Sequence, residues 1–185
     1  MDSVTASTMT RSSGLGVVLA VLIFPLPSFG GDAKRVMTPK DECDVLVNAV
    51  VPFARQMLSQ HHSFFPFGAT MSPSDEVSRT ATPKGDLPVS DLIALIEQGF
   101  VDGGQKGLYK ATALVSDVTT VPPRKEDKQR AVEVRLDHRD NYSVRVVFPY
   151  SYSLSGELSF DPPFAVPGDK MIFGHSTASQ GRPTH

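Results

Sequence analysis

Three of the five histidines, together with a carboxylate on a predicted strand, are of types that could do chemistry. His61 and His62 are adjacent at the end of a predicted helix, and His138 ends a predicted strand that also carries Glu133. Imidazole and carboxylate groups bind catalytic zinc and act as general acids and bases. Neighbouring helical residues point about 100° apart, so His61 and His62 rarely bind one ion. A periplasmic hydrolase or metal-dependent enzyme that uses these three histidines is therefore an alternative interpretation.

Other catalytic signatures are missing from the sequence. No G-x-S-x-G nucleophile elbow is present, and the glycine-rich stretch at residues 103–107 follows a predicted helix instead of preceding one, so it does not form a phosphate-binding loop. We therefore expect no cofactor and no bound metal, and we favour a non-catalytic protein over an enzyme.

A second group of polar residues lies on two predicted strands, where every other side chain points to the same face. Such a face is either solvated, with cross-strand ion pairs, or a polar docking surface for a protein partner. Tyrosine and arginine are enriched at binding hot spots, which favours including the aromatic residues that follow the second strand. The candidate binding residues are Glu133, Arg135, Asp137, Arg145, Tyr150 and Tyr152.

The composition of the chain limits the classes of partner that it is expected to bind. The chain has 185 residues, 40% of them hydrophobic, which suits one domain with a core of its own. The formal charge of −2 predicts neither nucleic acid nor an anionic membrane surface as a partner. Cys43 is the sole cysteine, so it is either a free thiol or the site of a bridge between chains. The sequence leaves the oligomeric state open.

The first thirty residues predict an export signal. Arg11 stands before an apolar run of eleven residues at positions 14–24. The run is shorter than the ~20 residues that span a bilayer and matches the core of a signal peptide. Ser28 and Gly30 are small residues that predict cleavage before Gly31. We expect a periplasmic or secreted protein with no membrane span after cleavage, and an uncleaved anchor is the alternative.

The elements that must position the candidate residues begin with a helix over about residues 41–61, which we expect to continue through Pro52. A corner of aromatic residues follows and leads into a strand at residues 67–71. Its bulky apolar rings are expected to pin the helix to the sheet. The corner consists of Phe64, Phe65, Pro66, Phe67 and Gly68.

The remaining pattern predicts a returning strand, a second helix near residues 91–101 and three longer strands, the last of which ends before Pro149. We predict the α+β class in the order αββαβββ, with an antiparallel sheet of about five strands and both helices on one face. The predicted organisation is a signal peptide (1–30), a disordered lead-in (31–40), one domain (41–173) and a flexible tail (174–185).

A third interpretation is a carrier of a small apolar ligand. Its pocket would lie between the first helix and the sheet, lined by Phe53, Phe64 and Phe67. An apolar cavity at this place would favour the carrier, whereas a filled core would remove it.

The apolar helix of residues 46–58, the corner at residues 64–68 and the two strand ends at residues 133–139 and 146–150 together resemble a family of small, uncharacterised bacterial proteins. The resemblance covers about residues 44–173. It implies no established activity, so no catalytic residue is carried over. We expect an exported, non-catalytic binding protein of the bacterial envelope, with an inhibitor or immunity-type role as its most concrete form.

Overall fold

The computed structural model describes residues 36–81 and 87–174, which form two helices and one antiparallel sheet of seven strands. The strand order is β2-β1-β3-β4-β5-β6, and β7 also pairs with β5. The predicted α+β class is confirmed, and the predicted order describes the first seven elements. In chain order the elements are α1 (Pro39–His61), β1 (Phe67–Met71), β2 (Val77–Ala81), α2 (Val89–Gln105), β3 (Ala111–Thr120), β4 (Gln129–His138), β5 (Tyr142–Tyr152), β6 (Leu158–Phe160) and β7 (Phe164–Pro167).

Local chemistry fixes the start of α1. The Thr38 hydroxyl accepts a hydrogen bond from the Asp41 N–H, and the Asp41 carboxylate accepts one from the Thr38 N–H at 2.9 Å. This capping box satisfies two backbone donors, and Pro39 suits the first helical position because its missing N–H is not needed there. The helix therefore begins inside the predicted lead-in (31–40), and it continues through Pro52 as expected.

The two helices lie on opposite faces of the sheet, which differs from the prediction that both would pack on one face. Strand β3 shows the arrangement, because Val115 is buried in the core under α1 whereas Leu114 packs with Ile96 and Phe100 of α2. Alternate residues of a strand point to opposite faces, so a central strand with apolar residues at both parities needs cover on both sides.

Gly68 allows α2 to approach β1. A Cβ at this position would lie 2.5 Å from Cζ of Phe100, a separation that side chains do not tolerate. The absence of a side chain on this face of β1 therefore creates the space that the Phe100 ring fills.

The aromatic corner packs largely as predicted. The Phe67 ring meets Phe53 edge-on at 5.0 Å between centroids and Phe64 at 5.7 Å, and Pro66 is buried beside them. Phe65 does not contribute to the core, because its side chain is 64% exposed. Two of the three phenylalanines therefore pin α1 to the sheet.

The end of the described chain differs from the prediction. Strand β5 continues through Pro149, whose carbonyl accepts a hydrogen bond from the Asp161 N–H on the side away from β4. The nitrogen of a strand residue points to the same side as its carbonyl, so the missing N–H breaks no bond to β4. Residues 171–174 form a turn, and β7 was not predicted. The predicted signal peptide (1–30) and residues 175–185 lie outside the described residues.

Candidate functional site

The charged residues predicted on β4 and β5 share one face of the sheet. Arg135 pairs directly with Arg145 across the two strands, and Glu133 and Asp137 have the same parity as Arg135. This is the face that α2 covers, since Oε1 of Glu97 in α2 lies 2.7 Å from Nη1 of Arg135. The prediction that these four strand residues lie together is confirmed by the strand register.

The two arginines differ in how well they are neutralised. Like charges directly across a strand pair repel each other. Among the described residues, the carboxylate of Glu97 lies close to Arg135, and none lies equally close to Arg145. Glu133 lies 3.9 Å from Nε of Arg135 and 3.8 Å from Nη1 of Arg145, beyond hydrogen-bond distance. Within the described residues, neither buried Nε atom has a hydrogen-bond partner. Arg145, with its side chain 37% exposed, is therefore a cation with one loose ion pair in the part of the chain that the structure describes.

A small pocket opens beside the arginine pair. Its volume is ≈ 40 Å³, and its walls include both arginines and the apolar side chains of Phe100, Leu114 and Ile172. Since roughly 10–15 Å³ of such volume holds one water, the pocket suits about three waters or one branched aliphatic side chain. Sites for drug-sized molecules are roughly 300–1,000 Å³, so this pocket cannot enclose such a ligand.

One wall of the pocket is a segment that we call the strap, residues 168–173. A Cβ on Gly168 would lie 2.2 Å from Oγ of Ser143 and 2.7 Å from the Val144 nitrogen, so only glycine lets the strap cross β5 this closely. The Ile172 N–H donates to Oδ2 of Asp137 at 2.7 Å. The strap is thus held against the ends of β4 and β5 by specific contacts.

Asp137 anchors the strap as a buried carboxyl group. Burial raises its pKa above the ordinary value, and the backbone N–H groups of Ile172, Phe173 and His138 offset part of that increase because they favour the charged form. A carboxyl that is desolvated and held by backbone donors has a structural role at the base of the pocket.

Tyr150 and Tyr152 do not lie beside this polar face, which differs from the prediction. Both have the parity of the β5 residues that face α1. The Tyr150 hydroxyl donates to Asp117 and the Tyr152 hydroxyl donates to the Leu58 carbonyl, each at 2.9 Å. Burial, together with the bond to Asp117, raises the pKa of Tyr150. The Tyr152 hydroxyl therefore ties β5 to α1, and the Tyr150 hydroxyl ties β5 to β3 within the sheet.

A second set of charges, which we call the buried ionic cluster, lies near the start of α1. It consists of Lys110, Glu42, Asp75 and His138. Nζ of Lys110 lies 2.6 Å from Oε1 of Glu42 and also contacts Asp75. Oε2 of Glu42 lies 2.7 Å from Nε2 of His138, whose Nδ1 accepts a hydrogen bond from the Asp140 N–H at 3.0 Å. With Nδ1 as the acceptor, Nε2 carries the proton and donates to Glu42.

The partners inside this cluster outweigh the effect of burial on its charges. Burial alone would raise the pKa of Glu42, but the hydrogen bonds and charges of Lys110 and His138 bring it below the ordinary value. Burial likewise opposes the charged form of Lys110, yet Asp75 and Glu42 raise its pKa. Burial raises the pKa of the neighbouring Cys43 to about 12, since the charge of Lys40 offsets only part of the effect, so little of the thiol is present as the nucleophilic thiolate.

The three candidate histidines do not converge. His138 is buried against Glu42 near the start of α1, whereas His61 and His62 end the same helix. Twenty residues of helix separate Glu42 from His62, a distance of about 30 Å. The His62 ring packs on Tyr152 at 4.9 Å between centroids. Among the residues that the structure describes, no three histidine, cysteine or carboxylate side chains are placed to hold a metal ion.

Aromatic rings pack against one another at the place expected for an apolar ligand. Phe53 and Phe64 both contact Phe67 edge-on, and all three pack against the core under α1. The pocket described above lies on the opposite face of the sheet.

Sequence reasoning missed Glu97 at the pocket and Glu42 and Lys110 in the ionic cluster. Glu97 had a weak local signal, because it is a charged residue next to the buried position Ile96 of an apolar helix. Glu42 and Lys110 are 68 residues apart and carry no local pattern that pairs them.

Comparisons with known proteins found no relative: no family model matches the chain, and no curated protein or solved structure matches it significantly. Within residues 36–81 and 87–174, no helix has the length and apolar character that a membrane span requires. The site must therefore be interpreted from its own geometry.

Proposed function

We propose that this chain is an exported, non-catalytic protein-binding module of the bacterial envelope, and that an inhibitor or immunity-type role is its most concrete form. The observation that carries the proposal is the pocket of ≈ 40 Å³ beside the loosely paired Arg145. The predicted signal peptide supports the exported location.

The size and lining of the pocket favour a protein partner over a small molecule. Hot spots of protein interfaces are side-chain anchors that fill small pockets, and arginine is enriched among them. Met171, which lines the pocket, is 46% exposed and adds a flexible apolar contact. Arg145 at the same pocket supplies a charge that can orient the partner.

The pocket is held by ordered elements rather than by a free loop. Glu97 ties α2 to β4 through Arg135, and Asp137 ties the strap to the same strand. A surface whose walls are fixed in advance loses little conformational freedom on binding, which favours affinity from a small contact.

The experiment is affinity capture from a cell-envelope extract, followed by a measured affinity for the partner obtained. The bait is the chain as cells process it, and it is compared with Arg145→Glu and Met171→Ala variants. We expect one stoichiometric protein partner whose binding weakens by about 2 kcal/mol or more with Arg145→Glu, the loss typical of a hot spot.

Arg124→Glu is the matched control, because Arg124 is exposed in the loop between β3 and β4 and makes the same change of charge. Equal binding by the Arg145→Glu variant and this control would contradict the proposed site. Recovery of no stoichiometric partner would contradict the proposed function.

A further inference from the structure

The chemistry of a partner group can be read from the two kinds of surface that meet in the pocket. Phe100, Leu114 and Ile172 provide apolar walls, and Arg145 lines the same small volume. An occupant must therefore carry an aliphatic group and an acceptor for a guanidinium within a few ångströms of each other.

The charges around the pocket leave Arg145 as the donor. Arg135 is engaged by Glu97, and Asp137 is held by the Ile172 N–H. Lys170 also lines the pocket, and its ammonium donates one hydrogen bond to Oδ1 of Asn141 at 2.7 Å, so it adds positive charge beside Arg145. A planar guanidinium without a hydrogen-bonded partner matches a carboxylate, which it binds through two parallel hydrogen bonds.

The acidic neighbours set a limit on this attraction. Glu133 lies 3.8 Å from Nη1 of Arg145, and Asp169 also lines the pocket. Glu133 partly offsets the positive charge without forming a hydrogen bond to Arg145, so a carboxylate that reaches Arg145 competes with it.

We propose that the pocket binds the C-terminal residue of the partner protein, with its aliphatic side chain between the apolar walls and its α-carboxylate on Arg145. This inference rests on the proposed function and names the part of the partner that the site recognises. In a pocket of ≈ 40 Å³, the apolar group and the carboxylate of the occupant must lie close together. A chain end meets this condition, because its side chain and its α-carboxylate are attached to the same Cα atom.

The test uses N-acetyl-L-leucine and its uncharged analogue N-acetyl-L-leucinamide as probes, titrated into the isotope-labelled protein and followed by backbone amide NMR. We expect the acid to shift the amides of Leu114, Arg145 and Ile172, and to bind at least about tenfold more tightly than the amide, as a charge-assisted hydrogen-bond pair predicts.

Three variants test which charged residues give the protein its preference for the acid. Arg145→Gln should remove the preference for the acid, whereas Glu133→Gln should tighten its binding because the competing carboxylate is gone. Arg124→Gln should behave as the unmodified chain does. The backbone spectrum of each variant shows directly whether it is folded.

Equal affinities for the acid and the amide, or no shifts at the pocket up to the solubility limit, would overturn this inference. That failure is distinguishable from failure of the proposed function: a captured partner whose binding depends on Arg145 would keep the function and exclude only the chain end as the recognised group.

Discussion

The two charged regions of the molecule differ in how completely their charges are satisfied. In the buried ionic cluster, Lys110 lies against two carboxylates and Glu42 also contacts His138. At the pocket, Arg145 has one carboxylate at 3.8 Å and no hydrogen-bonded acceptor among the described residues. The charges of the ionic cluster are paired with one another, whereas the guanidinium of Arg145 remains partly exposed at the surface.

The pKa shifts of two buried carboxyl groups also differ, because they balance burial against their partners differently. The partners of Glu42 outweigh burial and lower its pKa, whereas burial dominates at Asp137 beside the pocket and raises its pKa. A buried charge with a complete set of partners supports the fold, and an incomplete set leaves interaction energy for a ligand. This difference supports a structural role for the ionic cluster and the proposed binding role for the pocket.

The largest expected effect follows from Lys110→Met. The change removes the cation between the carboxylates of Glu42 and Asp75, and breaking a buried pair in this way costs about 3–5 kcal/mol. Urea-induced unfolding followed by circular dichroism measures the loss. The control is Lys125→Met, which breaks the exposed pair with Asp161 and should change stability only slightly. Similar small losses in both variants would show that the cluster does not hold the fold.

The second prediction concerns pH. Because the pKa of Glu42 is lowered on folding, its stabilising contribution is complete above the ordinary value of 4.5 and is lost as the pH falls through the lowered pKa. Lys110 acts in the opposite direction: its raised pKa keeps its contribution complete below 10.5 and loses it as the pH rises through the raised value.

The free energy of unfolding should therefore decrease at both extremes of pH, and Glu42→Gln should flatten the acid side. Unfolding midpoints measured across the pH range test this expectation. An unchanged acid slope in Glu42→Gln would contradict the assigned role of Glu42.

A smaller effect is expected from Gly168→Ala, which forces the strap away from Ser143 and the backbone of Val144. Overpacking of this kind costs about 1–3 kcal/mol, and amide hydrogen exchange should accelerate in residues 168–173. Gly99→Ala is the control, because its Cβ meets nothing within 4 Å and a helical alanine should stabilise α2 by up to about 1 kcal/mol. If amide hydrogen exchange in the strap is unchanged, the close packing of the strap on β5 is contradicted.

Sequence patterns predicted those parts of the site that lie within one strand. The two-residue period of β4 was enough to place Glu133, Arg135 and Asp137 on one face, and the register with β5 adds Arg145. Tyr150 was misplaced because Pro149 was expected to end the strand, so the alternation was not continued past it.

The ionic cluster was beyond such reasoning for a physical reason. Glu42 and His138 are 96 residues apart, and only the packing of α1 on the sheet brings them together. The opposite placement of the helices was missed similarly, since the space for Phe100 depends on a glycine in a strand far along the chain. The ionic cluster has no periodic signal in the sequence, whereas the helix placement has a weak one in the apolar residues at both parities of β3.

The central proposal is that Arg145 serves binding and does not hold the fold. Its most direct test is the free energy of unfolding of Arg145→Met, measured by urea titration beside the unmodified chain. Because Arg145 faces a like charge and forms no hydrogen bond within the described residues, we predict a change within about 0.5 kcal/mol, or a small increase in stability. A loss of about 2 kcal/mol or more would show that Arg145 is part of the structural framework, and would contradict the account.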